Sequence, residues 1–146
     1  MVGKLLRYFA SMLPMSLGLR AGLYKLSGVK IGRRVSIDRN VHLTRAQEIS
    51  IGDRVTISTG VSLLGEVTAV HSRLESEFGV HKTGPVVIGD DVYIGVKATV
   101  LPGVSVGQMA TIGANTLVTG DVPPYGVVLG VPGRVMMVRQ KPGGAR

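Results

Sequence analysis

Every sixth residue from Ile88 is aliphatic: Ile88, Ile94, Val100, Val106, Ile112 and Val118. The next position is glycine at Gly89, Gly95, Gly107 and Gly113, and four past each aliphatic lies a small or branched residue (Val92, Ala98, Val104, Ala110, Thr116, Val122). A fixed short period signals a repeat architecture. Strand side chains alternate with period two, so six residues supply a short strand and a corner. Three such units close one triangular coil with each aliphatic on the axis, and glycine eases the corner where a side chain would be awkward. The same period opens the chain's first block at Ile31, Ile37 and Leu43, with Val35 and Val41 in the small slot. Two extra residues then shift the frame before Ile51, Ile57 and Leu63, supported by Val55 and Val61. The pattern predicts an all-β protein, a parallel β-helix of about four coils led by Ile31, Ile51, Ile88 and Val106, stacked at about 4.8 Å.

Three stretches escape the period. Residues 1–28 place Leu6, Phe9 and Leu13, then Leu19, Leu23 and Leu26, at helical spacings on either side of Pro14. This predicts two short helices, because proline removes a donor and disfavours a helical residue before it. The uncharged run 8–19 is broken by Ser, Pro and Gly and lacks a small-x-small cleavage site, so it reads neither as a leader nor as a bilayer span. As a cap it would cover strand edges at the open end of the coil. As a basic amphipathic surface it would make peripheral membrane contact near a lipid-linked substrate. The second stretch, 64–85, is polar, carries two of the three histidines and separates two in-phase blocks, so it reads as an extruded loop; long loops on regular scaffolds carry function. After Val118, prolines and glycines lead into a strand-like piece and a disordered tail. The expected division is therefore a cap at 1–28, a β-helix at 29–136 and a tail at 137–146, in a cytoplasmic protein with or without the membrane contact.

Composition narrows the function. With 45% hydrophobic residues but 4% aromatic, and 21 glycines in 146 residues, the core suits a thin regular stack. The absence of cysteine excludes disulfides, a thiolate metal site and a cysteine nucleophile. The net charge of +8 favours anionic partners. Nucleic acid is the weakest of these, since the basic residues are scattered and stacking aromatics are scarce. Proton transfer near neutral pH points to histidine. His42 lies inside the repeat and reads as an outward corner residue. His71 follows Leu63 by eight residues, and His81 precedes the returning strand.

The block Ile31–Leu63 and the hexads of 86–120 resemble the hexapeptide-repeat acyltransferases, particularly the galactoside, maltose, nodulation-factor and xenobiotic O-acetyltransferases. The resemblance implies a left-handed coil, a homotrimer with sites between subunits, acetyl-CoA as acyl donor and no metal. It implies transfer of an acetyl group to a hydroxyl of a sugar or surface-polysaccharide precursor, with a loop histidine as general base. His71 matches that histidine best, although Ser72 follows it where the family often has proline; His81 is the alternative. Glu66 is a candidate to orient His71. Asp38 stands where the sugar enzymes carry an acceptor-contacting asparagine. For the cofactor, Ala114 matches the residue whose main chain meets pantetheine. Thr119 opens the stretch Thr119-Gly120-Asp121-Val122-Pro123, matching the family's T-K-D-[VI]-P with Gly120 in the basic place. Arg134 closes Gly130-Val131-Pro132-Gly133-Arg134 as a CoA-phosphate ligand, and Arg139 substitutes for a second arginine replaced by Met137. Alternatives are N-acetylation of an amino sugar or other small amine, a non-catalytic hexapeptide-repeat trimer, and a zinc enzyme of carbonic-anhydrase type. The last needs two histidines five apart, whereas His71 and His81 are ten apart.

Overall fold

A computed structural model describes residues 1–141 and 143. Helices α1 (Val2–Met12) and α2 (Leu17–Leu26) precede strands β1 (Lys30–Ile31), β2 (Ser36–Ile37) and β3 (His42–Thr44). A 3-10 turn at Ala46–Glu48 leads to β4 (Ile49–Ile51), β5 (Thr56–Ile57) and β6 (Ser62–Leu64). An arm follows, made of β7 (Glu66–Thr68), α3 (Arg73–Phe78) and β8 (His81–Thr83). The coil resumes with β9 (Val86–Ile88), β10 (Tyr93–Ile94), β11 (Thr99–Val100), β12 (Ser105–Val106), β13 (Thr111–Ile112) and β14 (Leu117–Val118). Strands β15 (Gly126–Leu129) and β16 (Arg134–Val138) end it.

The strands sort into three walls with orders β1-β4-β9-β12, β2-β5-β10-β13-β15-β16 and β3-β6-β11-β14. All pairs within the walls are parallel except β15–β16. The register stacks like on like, with Ile31 on Ile51, Ile51 on Ile88, and Ile88 on Val106. Each of these aliphatics is buried, as are the small-slot residues Val35, Val55, Val92 and Ala110. The hexad thus fixes both the core and the pairing. The two residues that shift the frame after Leu43 are absorbed by the 3-10 turn, which buries Ala46.

The corners refine the expectation for glycine. The left-handed residue of a corner lies two places after the glycine and is usually not glycine itself: Arg34, Arg54, Asp91, Lys97, Met109 and Asn115 all have φ between 55° and 59°. The glycine is needed for proximity instead. A Cβ on Gly95 would sit 2.7 Å from Ala114 N, and one on Gly89 the same distance from Gln108 N. Aspartates stitch one corner vertically: Asp53 Oδ1 accepts from Arg33 N–H and Asp90 Oδ1 from Asp53 N–H, both at 2.8 Å.

The two helices break around Pro14, and α2 lies against β1 and β2. Arg20, 1% exposed, directs its guanidinium to three carbonyls: Ala10 (2.7 Å), Leu13 (3.0 Å) and Ile37 (3.1 Å). Tyr24 Oη donates to Val41 O at 2.8 Å. These bonds tie both helices to the first turn of the coil. No helix among the described residues is long and apolar enough to cross a membrane.

Three expectations are corrected. Residues 64–85 are not irregular throughout: Leu64 still belongs to β6, and β7 and β8 pair as an antiparallel hairpin. His42 is a strand residue of β3, exposed on the wall, because the corner falls at Asn40 instead. β16 carries the ordered coil past the expected boundary at 136 to Val138. Of the rest of the expected tail, residues 142 and 144–146 lie outside the described residues.

Candidate active site

The arm leaves the wall at β6 and returns into β9, so it springs from one edge of the coil. Glu66 stands opposite Thr83, and Thr68 opposite His81. Alternation along the strands puts Glu66, Thr68, His81 and Thr83 on one face of the hairpin. Ser72 caps α3 by accepting from Leu74 N–H, and Gly79 ends it in the left-handed conformation (φ 63°). The helix thereby folds Glu75 back over that face, where Thr68 Oγ1 donates to Glu75 Oε2 at 3.2 Å.

The imidazole of His81 is consequently bracketed. Nε2 lies 3.6 Å from Glu66 Oε1, and Nδ1 lies 3.6 Å from Glu75 Oε1. Both gaps exceed hydrogen-bond length. A hydroxyl could take one ring nitrogen while the opposite carboxylate orients the other, the arrangement of a base and its orienter. Glu66 is itself held at the root of the arm: Thr44 Oγ1 accepts from Glu66 N–H and donates to Glu66 O, both at 3.2 Å, and Arg45 Nη1 lies 3.5 Å from Glu66 Oε1. The sequence reading assigns Glu66 to His71, but the hairpin register brings it to His81. His71 is exposed near the arm's tip, in the left-handed conformation at φ 64°.

Asp38 follows β2, half-buried at a corner. Its Oδ2 accepts from Thr59 Oγ1 at 2.6 Å and its Oδ1 from Arg39 N–H at 2.7 Å. These two bonds, Thr59's first, hold its carboxyl below the usual carboxylate range. Asp38 is therefore an anionic acceptor of hydrogen bonds and offers no proton of its own.

The residues expected to meet the cofactor lie around β14. Ala114 precedes that strand and Thr119 follows it, both exposed. The turn Gly130–Gly133 closes on the same strand: Leu117 N–H donates to Gly130 O and Gly133 N–H to Leu117 O. A Cβ on Gly133 would lie 2.8 Å from Leu117 O, so the turn requires glycine there. Arg134 follows it directly, exposed. Arg139 is placed apart, donating from Nη1 to Thr111 Oγ1 at 2.8 Å on the neighbouring wall. Among the described residues there is no cluster of side chains suited to a metal ion.

Glu75 and Thr59 escape the sequence reading. A short alternating E-V-T facing H-K-T is the available signal for the hairpin. Nothing periodic announces that α3 folds Glu75 back.

Comparison with known proteins accords with the repeat. Residues 85–120 match the family model described as the hexapeptide repeat of succinyl-transferase. The chain is 36% identical over 110 residues to galactoside O-acetyltransferase of Escherichia coli, an overlap of 75% of this chain and 54% of that protein. It is 40% identical over 118 residues to serine acetyltransferase of Mycobacterium tuberculosis, covering 80% of this chain and 47% of that protein. The chain thus spans about half the length of the curated relatives it matches. Among solved structures, a galactoside acetyltransferase in complex with coenzyme A superposes with TM-score 0.67 at 27% identity, over 93% of this chain and 78% of that one. A hexapeptide-repeat acetyltransferase of Vibrio cholerae complexed with acetyl-CoA shares the fold with TM-score 0.77 at 23% identity, over 95% and 86%. By its six-residue period, its three parallel walls and the match over residues 85–120, the chain carries the hexapeptide repeat and is similar in sequence and fold to these acetyltransferases.

Proposed function

We propose that the protein transfers the acetyl group of acetyl-CoA to a hydroxyl of a sugar or surface-polysaccharide precursor, on a left-handed coil of four turns. The arm carries this reading: it holds a histidine between two carboxylates on a scaffold whose relatives are acetyltransferases. The acceptor oxygen attacks the thioester carbonyl while the imidazole takes the hydroxyl proton. The carbon–sulfur bond then breaks, and the imidazolium returns the proton to the departing thiolate. The products are the acetyl ester and free CoA. A positioned base supplies about 10²–10⁴ in rate, and alignment of the two substrates supplies much of the remainder. Asp38 accepts a hydrogen bond from the acceptor. Ala114, Thr119 and Arg134, grouped around β14, receive pantetheine and phosphate, with Arg139 as a more distant cation.

His81 is the base favoured by the paired carboxylates. His71 remains the position implied by family resemblance. A homotrimer is supported by the exposed apolar side chains of β16, Val135, Met136, Met137 and Val138. A second acceptor class, serine or a small amine, is favoured by the 40% identity to a serine acetyltransferase. We place the protein in the cytoplasm. The apolar side chains of Leu5, Phe9 and Met12, exposed on α1, support peripheral membrane contact.

The test is release of free CoA from acetyl-CoA against a panel of sugars, serine and amino sugars. His81→Ala should abolish release with the productive acceptor and His71→Ala should leave most of it. The reverse result transfers the base to His71. No release with any acceptor, together with no CoA binding, overturns the enzyme reading.

A further inference from the structure

A groove of about 410 Å³ runs between α1 and the outward face of β3. Helical spacing brings Lys4, Arg7, Tyr8 and Ser11 to one side of it, and β3 contributes His42, with Arg45 directly after the strand, from the other. No acidic side chain lines it among the described residues. A volume of this order holds a small ligand of hexose size or larger.

The basic side chains differ in how they are held. Arg7 gives one donor, Nη1, to Ser27 O at 3.2 Å, which steadies the guanidinium and leaves other donors for a ligand. Arg45 is fixed by Glu48 at 3.8 Å and Glu66 at 3.5 Å. Lys4 and His42 enter no side-chain hydrogen bond or ion pair among the described residues. Basic side chains converging from two elements, with the Tyr8 hydroxyl on the same lining, suit a compact anion with several acceptor oxygens; the Ser11 hydroxyl already donates to Tyr8 O at 2.8 Å. Guanidinium forks match phosphate in particular.

The groove also communicates with the arm. Glu66 Oε1 is the oxygen near both Arg45 Nη1 and His81 Nε2. One carboxylate thus joins the rim of the groove to the imidazole. We propose that the groove binds a phosphate group carried by the acceptor, so that the acceptor is a glycosyl phosphate, free or lipid-linked, and not a neutral sugar. Its identification as the acceptor rests on the acetyl-transfer reading; the binding itself does not.

Calorimetry on the full chain tests this with galactose 1-phosphate against galactose. A second arm measures co-sedimentation with phosphatidylcholine vesicles with and without phosphatidic acid. The expected result is saturable binding of galactose 1-phosphate at least about tenfold tighter than galactose, or binding confined to the phosphatidic acid vesicles. The first outcome assigns a soluble phosphate and the second a lipid-borne one. Lys4→Ala and His42→Ala, both changes at exposed positions, should each weaken whichever binding is seen, and Arg33→Ala, on the corner between β1 and β2 and outside the groove, should not. Binding of neither probe, or binding indifferent to Lys4 and His42, overturns the proposal. Binding that depends on the groove without CoA release from any acceptor would sink the acetyl-transfer reading alone. CoA release with neutral sugars and no phosphate binding would sink the groove assignment alone.

Discussion

Glu66 Oε1 lies 3.6 Å from His81 Nε2, across the diagonal of a two-stranded hairpin. Glu66 touches the reacting groups only through His81, so it is a positioning residue. Glu66→Gln should lower kcat, leave KM for acetyl-CoA in place and alter the pH profile of kcat. Glu66→Asp should restore some of the rate. A merely structural role would instead lower stability and leave the pH profile of the folded fraction unchanged.

Arg134 and Arg139 should separate in steady-state kinetics. Arg134 is exposed beside the turn that closes on β14, whereas Arg139 is engaged by Thr111. Arg134→Ala should raise KM for acetyl-CoA by about tenfold, the loss of one charge-assisted phosphate contact, with kcat nearly constant. Arg139→Ala should change KM far less. Equal effects would place both at the phosphate.

Tyr24 is fully buried, and burial pushes its phenol up to about 12, with Arg20 and Arg7 acting in the opposite direction. A raised folded pKa gives stability that is complete below the ordinary value of 10.0 and is lost as pH rises toward about 12. Denaturant titrations should show wild-type stability falling across that window. Tyr24→Phe should lose about 1–3 kcal/mol at neutral pH, because Val41 O is left without its donor. It should also lose the alkaline decline attributable to this phenol.

Asp38 behaves oppositely. Its depressed folded pKa gives stability present above the ordinary value of 3.8 and lost as pH falls through the folded value. Thr59→Val removes the first cause of the depression. A carboxyl titration by NMR should find Asp38 moved up toward 3.8 in that variant. An unmoved Asp38 would mean that the Arg39 N–H, with the charges of Arg20 and Arg39, holds it down without Thr59.

Thr116 occupies a small slot of the last hexads, buried, with a hydroxyl that has no hydrogen-bond partner among the described residues. Valine has the same shape without the orphaned oxygen. Thr116→Val should therefore raise stability by about 1 kcal/mol or more in urea titrations. A loss of stability would show that the hydroxyl has a partner in solution.

The sequence alone determined the coil. Its evidence was a period, and a period is enough because each aliphatic stacks on its equivalent in the neighbouring turn, as Ile51 does on Ile88. The helices around Pro14 were legible for the same local reason, that proline ends one helix before another starts. The arrangement of the site was decided elsewhere. Which histidine meets Glu66 depends on the register of an antiparallel hairpin, and whether Glu75 joins them depends on where α3 folds back; neither is periodic. The groove likewise exists because Arg20 and Tyr24, with the bond from Asn40 N–H to Ser11 O, fasten α1 and α2 to the first turn. That anchoring sets Lys4 and Arg7 across from His42, residues far apart in the chain with nothing in their spacing to relate them. Repetition specified the scaffold, whereas the chemistry lies where the chain departs from it, and there only tertiary contact fixes which groups meet.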